Sequence, residues 1–170
     1  MKKISLILLM FALLTGCAST GSSPTVGDQA PYFSLADISG NEVNLSDFKG
    51  KKSVILIFYA DNNWRPCIQQ LGGLQNKTNE IEELNAEIIA ISTTGNKQDV
   101  ELTKKYLGLT YTLISAPNRK VGEDFNLAYD LGAAYATIII DKNGLIRYKS
   151  IDSWSSRTSA SKIIRELQAI

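Results

Sequence analysis

Ser53 to Tyr59 reads S-V-I-L-I-F-Y, an apolar, β-branched run of strand length with no alternation. A strand of that kind is covered on both faces, so the chain must build a layer on each side of a sheet. The run breaks at Asp61-Asn62-Asn63, and Pro66 then opens a helical pattern, so a buried strand delivers the chain to a helix start that carries Cys67. The first backbone N–H groups of a helix are unpaired and its macrodipole favours negative charge. A thiolate at Cys67, flanked by Arg65, is therefore favoured over the thiol at such a corner.

The remaining elements follow from the same punctuation. Tyr32 to Ala36 and Glu42 to Leu45 are expected as short strands around the turn Ser39-Gly40-Asn41. Ile68, Leu71, Leu74, Ile81 and Leu84 recur at helical spacing from Pro66 to Leu84. One helix is expected there, weakened in its middle by Gly72, Gly73 and Asn76. Ala86 to Ser92 is the next buried strand, Gln98 to Leu107 a helix ended by Gly108, Tyr111 to Ile114 a strand and Arg119 to Phe125 a helix. Thr137 to Asp141 and Leu145 to Ser150 flank the hairpin signal Lys142-Asn143-Gly144, and Ser159 to Leu167 places Ile163, Ile164 and Leu167 on one helical face. Strand, helix, strand implies parallel pairing with right-handed crossovers, closed by an antiparallel hairpin. The expected class is α/β, a sandwich whose mixed central sheet has helices on both faces.

Composition narrows the chemistry. The formal charge is +1 with no basic run, which recommends no nucleic acid as partner. There is no histidine, so no mechanism with an imidazole base and no His-containing metal site can be assembled. Asp37, Asp47 and Asp61 read as turn residues rather than metal ligands. Neither a metal nor another cofactor is expected.

The beginning of the chain is a separate matter. Lys2 and Lys3 precede the apolar Ile4 to Leu14, too short for a permanent bilayer span, and Thr15-Gly16 are small residues before Cys17. Leu14-Thr15-Gly16-Cys17 resembles the lipobox of bacterial lipoproteins. That resemblance implies a signal peptide over residues 1–16, cleavage before Cys17 and acyl chains on it, an attachment stable enough to hold the protein on the cell envelope. With Ala18 rather than aspartate next, it implies the periplasmic side of the outer membrane where two membranes exist. Residues 17–26 are small, polar and uncharged, a lipidated tether, and residues 27–170 the folded domain, roughly 150 residues and hence one domain. If Cys17 carries lipid, Cys67 is the mature protein's one thiol.

Three stretches resemble one family. Gly27 to Lys51 (G-D-Q-A-P-Y-F-S-L-A-D-I-S-G-N-E-V-N-L-S-D-F-K-G-K), then V-I-L-I-F-Y, then Thr137 to Tyr148 (T-I-I-I-D-K-N-G-L-I-R-Y), look like the thioredoxin-fold peroxiredoxins of the alkyl hydroperoxide reductase and thiol-specific antioxidant group. The resemblance implies a peroxide-attacking cysteine in P-x-x-x-[T/S]-x-x-C. Counted from Phe58-Tyr59, Cys67 falls on that cysteine, Ala60 on the proline and Trp64 on the hydroxyl residue. The family's later arginine precedes the T-F-x-I-D strand, where this chain has Ala134-Tyr135-Ala136. A second alignment sets Trp64-Arg65-Pro66-Cys67 against W-C-P-x-C of related thioredoxin-like proteins, with Arg65 in place of the attacking cysteine. A dithiol–disulfide cycle by this chain alone then lacks its second thiol.

The expected activity is that of a thiol-dependent peroxidase or oxidoreductase, with Cys67 and Arg65 as catalytic candidates and Tyr59, Trp64 and Tyr135 as groove residues. Its partners are a peroxide or thiol/disulfide substrate and an external thiol reductant, with the membrane reached through lipid on Cys17. The alternative is a thioredoxin-fold module that has lost catalysis and binds a peptide or an envelope protein.

Overall fold

A computed structural model describes residues 23–60, 64–129, 133–153 and 155–170. The signal segment 1–16, Cys17 with most of the tether, and Asp61 lie outside the described residues.

The central sheet has five strands in the order β5-β4-β3-β6-β7: β3 is Ser53–Tyr59, β4 Ala86–Ser92, β5 Thr112–Ser115, β6 Ala136–Ile140 and β7 Ile146–Ile151. A separate antiparallel pair, β1 (Ser34–Ala36) with β2 (Glu42–Asn44), precedes a 3-10 turn at Leu45–Phe48. β3 pairs in parallel with β4, and β4 with β5. β6 runs antiparallel to both β3 and β7, so the sheet is mixed. Helices α1 (Arg65–Gln75), α2 (Thr78–Glu83) and α3 (Lys97–Leu107) follow β3 and β4. α4 (Lys120–Asp124) follows β5, and α5 (Ala160–Gln168) closes the chain.

Alternation along β3 sorts the core into two layers. Ile55, Ile57 and Tyr59 face a cluster with Cys67, Leu71 and Leu74 of α1, Val100 of α3 and Ile163, Ile164 and Leu167 of α5. Val54, Leu56 and Phe58 face the other side, against Phe33, Leu45, Val121 and Phe125. All residues of β3 from Val54 onward are buried, which is why the strand reads as an unbroken apolar run. The expected mixed sheet with helices on both faces is the one observed.

One element differs from expectation. The helix expected over Pro66 to Leu84 is two helices, because Asn76 caps α1 and Lys77 leaves helical geometry (φ −121, ψ 8). The Thr78 hydroxyl donates to the Gln75 carbonyl at 3.1 Å, taking a backbone acceptor that continued helix would have used. At the end of α3, Gly108 adopts φ +61, a left-handed cap that a residue with a Cβ rarely takes, and the helix stops there as expected.

Register decides what meets Cys67. Ala136 at the start of β6 pairs with Phe58 near the end of β3, and with Ile151 at the end of β7. The chain leaving β7 therefore emerges at the sheet end where β3 hands over to α1. Ser23 and Pro24 lie against the domain: Asn126 Nδ2 donates to Ser23 Oγ at 2.7 Å and Lys149 Nζ to the Pro24 carbonyl at 2.7 Å. Burial of the Lys149 ammonium pulls its pKa below the ordinary lysine value.

Candidate active site

Cys67 occupies the first turn of α1, after Arg65 and Pro66. The first helical hydrogen bond is Ile68 N–H to Trp64 O at 3.1 Å, so the amide of Cys67 precedes the ladder. No acidic residue stands in this first turn to neutralise the dipole. The thiol is buried, 1% exposed, and is not in a disulfide.

The cation beside it comes from 90 positions further along the chain. Arg157 Nη2 lies 3.3 Å from Cys67 Sγ. The guanidinium stacks on the Tyr135 ring with its carbon 3.8 Å from the centroid, and Nη1 donates to the Ser153 carbonyl and, at 3.0 Å, to that of Ser156. A guanidinium held flat on an aromatic ring loses little further entropy when it meets an anion. Next to sulfur it opposes the cost that burial places on a thiolate.

Asp152 fixes the loop that delivers this arginine. Its carboxylate accepts from Ser150 Oγ at 2.9 Å, Thr158 Oγ1 at 3.0 Å, Thr158 N–H at 3.2 Å and Thr137 Oγ1 at 3.3 Å. Gln70, one helical turn after Cys67, donates through Nε2 to Thr137 Oγ1 at 3.1 Å and to the Thr158 carbonyl at 3.0 Å. The helix bearing the thiol and the loop bearing the guanidinium are thus joined through Thr137 and Thr158. Ser159 then caps α5, its hydroxyl accepting from Lys162 N–H at 3.3 Å.

Among the residues singled out from sequence, Tyr59 and Tyr135 flank the thiol region. Tyr59 is fully buried in the same cluster as Cys67, and its hydroxyl has no hydrogen-bond partner among the described residues. Burial pushes its phenol up, the neighbouring Cys67 adds to the rise, and the Ser92 hydroxyl opposes it from outside hydrogen-bonding geometry. Thr93 gathers the strand ends beneath: its Oγ1 donates to the Tyr59 carbonyl at 3.1 Å and accepts from Ala134 N–H at 3.2 Å. Trp64 is 38% exposed just before α1, and Arg65 is exposed on its first turn. Arg119, just before α4, lies over the Tyr129 ring. Asp37 is a turn residue as read, accepting from Ser39 N–H and Asn41 N–H, each at 2.8 Å.

Arg157, Asp152 and Gln70 were not found from sequence. No spacing rule connects Arg157 or Asp152 to Cys67, whereas Gln70 stands at the helical i+3 position from it. The usable signal was topological: an antiparallel last hairpin returns the chain to the thiol's end of the sheet, and the segment Ser155-Ser156-Arg157-Thr158 is the first to arrive there.

The AhpC/TSA family model matches residues 26–149. The chloroplastic 2-Cys peroxiredoxin BAS1 of Spinacia oleracea is 32% identical over 164 residues, covering 90% of this chain and 62% of the relative. The chain therefore spans less than two thirds of that relative's length. The chloroplastic peroxiredoxin Q of Suaeda salsa is 29% identical over 156 residues, covering 90% of this chain and 72% of the relative. Among solved structures, the reduced 2-Cys peroxiredoxin of Plasmodium vivax superposes with a TM-score of 0.76 at 28% identity, over 86% of this chain and 82% of its own. The peroxidoxin BcpB of Mycobacterium tuberculosis has a TM-score of 0.76 at 22% identity, over 86% and 98% of the two chains, a likeness of fold.

Proposed function

The chain belongs to the AhpC/TSA family, and from that premise we propose that it is a thiol-dependent peroxidase that uses Cys67 alone and is returned to thiol by an external reductant. The observation that carries this reading is Arg157 Nη2 at 3.3 Å from Cys67 Sγ. It supplies a cation that the stretch before Thr137 lacks.

In the proposed reaction the Cys67 thiolate attacks one oxygen of the peroxide. The S–O bond forms, the O–O bond breaks, and the departing oxygen leaves as an alcohol or water after taking a proton. Cys67 is left as sulfenic acid, two electrons more oxidised. The leaving oxygen gains negative charge in the transition state, and a positioned guanidinium stabilises that charge as it develops. An external thiol then restores the cysteine.

The test uses the full chain, purified in detergent, treated with hydrogen peroxide and a sulfenic-acid probe beside Cys67→Ser. Labelling confined to Cys67 and at least a hundredfold faster than that of a free small-molecule thiol is expected. Labelling at the free-thiol rate sinks the reading. A second reading, a module that has lost catalysis and binds an envelope protein, draws on Trp64 standing where the family carries a hydroxyl residue. Under it Cys67→Ser leaves binding of that partner intact.

We further propose that the protein is exported and held on the cell envelope by lipid on Cys17, from the lipobox Leu14-Thr15-Gly16-Cys17. Cys17→Ser is expected to move the protein from the membrane to the soluble fraction. Unchanged membrane association removes this proposal without touching the first.

A further inference from the structure

A groove of about 570 Å³ opens beside the thiol between α1 and α5, lined by Pro66, Gln70, Gly73, Lys77, Arg157 and Ser161, among others. Its character is one-sided. Among the described residues the lining holds two cations, Lys77 and Arg157, several hydroxyls and amides, and no carboxylate. The start of α5 opens into it through Ser159, Ala160 and Ser161, and that helix has no acidic residue in its first turn. The Ser159 hydroxyl takes the amide of Lys162, which leaves the amides of Ala160 and Ser161 ahead of the helical ladder.

Two further observations indicate that this groove is built for a ligand. Gln70 is 4% exposed, and its Nε2 is fixed by the Thr158 carbonyl, which can only accept; its Oε1 is left buried without a partner. Arg157 satisfies Nη1 and Nη2, while its Nε is likewise buried without a partner. Buried polar atoms are almost always paired, and here one acceptor and one donor of two lining residues stand unpaired among the described residues, just behind the groove wall.

We propose that this groove binds the body of the reductant, and that the reductant is a small thiol carrying a carboxylate together with an amide or ammonium donor. The inference rests on the peroxidase reading and names the partner of that same cysteine. The carboxylate sits at the α5 amides with Lys77 and Arg157 nearby, and the N–H donor answers Gln70 Oε1. Pro66, which precedes Cys67, and Arg157, whose Nη2 lies 3.3 Å from Sγ, line the groove, so a molecule of tripeptide size seated there has the oxidised cysteine directly behind that wall. Its thiolate attacks Cys67 Sγ, the S–S bond forms, the S–O bond breaks, and hydroxide leaves and is protonated to water. A second thiolate then attacks the reductant's own sulfur in the mixed disulfide, releasing Cys67 as thiolate and the reductant as its symmetrical disulfide.

The test separates this step from the peroxide step. The full chain, converted to sulfenic acid with one equivalent of hydrogen peroxide, is mixed rapidly with glutathione or with its diethyl ester at equal thiolate concentration. The rate with glutathione is expected to saturate and to exceed that with the ester at least tenfold. Ser161→Glu, which adds negative charge in the groove while favouring the start of α5, should bring the ratio to within a factor of two of unity; circular dichroism confirms its fold. Equal, unsaturating rates for acid and ester overturn the groove as the reductant's site and leave the peroxidase reading standing, since sulfenic acid has formed. Reduction by a protein dithiol alone overturns it in the same way. Absence of sulfenic acid overturns both.

Discussion

Two segments meet at Cys67, and they are made in opposite ways. The corner from Ser53 to Cys67 is local: an apolar run, a polar break and Pro66 just inside a helix specify it within fifteen or so positions. The loop from Asp152 to Thr158 has no pattern of its own. It is shaped by one carboxylate that gathers Ser150, Thr137 and Thr158, and it is located by the register of β6 and β7. In the proposed reaction the corner supplies the nucleophile and the loop supplies the charge. Local pattern can thus reveal the reacting atom of a site while the group that tunes it is fixed only by the folded topology.

Breaking the loop's contribution at its tip gives the largest effect. Arg157→Met keeps the apolar stem against Tyr135 and removes the guanidinium 3.3 Å from Sγ. Loss of one well-placed charge-stabilising donor costs about 10²–10³ in rate. The second-order rate constant with hydrogen peroxide, followed by stopped flow, is expected to fall by that factor. Arg157→Lys should restore little of it, because a point ammonium neither stacks nor spans the Ser153 and Ser156 carbonyls in the same way. A variant that keeps full rate would return the site to the corner alone.

Loosening the loop at its root gives the next effect. Asp152→Ala removes the acceptor for Ser150, Thr137 and both groups of Thr158. Hydrogen bonds to a charged group are worth about 1.5–3 kcal/mol each and are not additive, so a loss of about 2–3 kcal/mol in urea unfolding is expected. The peroxide rate should drop about tenfold. Asp152→Asn, which keeps two acceptor sites on one oxygen, should recover part of both.

The same contrast explains what could be read from the chain. Ser53–Tyr59 and Ala86–Ser92 match their expected bounds because both faces of each strand are buried and the pattern carries all the information. The helix after Cys67 was expected as one because Ile81 and Leu84 keep helical spacing with Leu71 and Leu74, whereas the break depends on Thr78 choosing the Gln75 carbonyl. Arg65 was the natural candidate beside the thiol, being next but one in sequence. On a helix, however, such neighbours face about 200° apart, and Arg65 is exposed while Cys67 is buried. Arg157 has no sequence proximity to compete with, and only the antiparallel return of β7 brings it in.

Beneath the corner, the buried phenols sharpen the comparison through pH. Burial raises the Tyr59 and Tyr111 phenols above their ordinary value, so the folded state keeps protons that the unfolded chain releases. Stability from these groups is intact below about pH 10, the unfolded value, and falls as pH rises beyond it. Alkaline unfolding should therefore be steep, and Tyr59→Phe should flatten it. At neutral pH the two phenylalanine variants part company. Tyr111 donates to the Leu71 carbonyl at 3.0 Å, so Tyr111→Phe is expected to cost about 1 kcal/mol. The Tyr59 hydroxyl has no partner to lose, and Tyr59→Phe should be neutral or slightly stabilising in the same thermal melts.

The smallest effect belongs to the residue nearest in sequence. Arg65 opens α1, where the unpaired amides and the dipole already supply positive potential, so a cation in that place is unfavourable by a few tenths of a kcal/mol up to about 1. Its side chain is exposed, and solvent and salt screen it from a buried sulfur. Arg65→Ala should leave the peroxide rate within about a factor of two and raise thermal stability slightly, since alanine is the better helix former and the unfavourable charge is gone. The double variant with Arg157→Met tests the division of labour directly. If the corner and loop act as the geometry indicates, the double variant reacts no more slowly than Arg157→Met alone. A further drop of tenfold would mean that Arg65 takes over once the stacked guanidinium is removed, and the charge at this site would then belong partly to the corner.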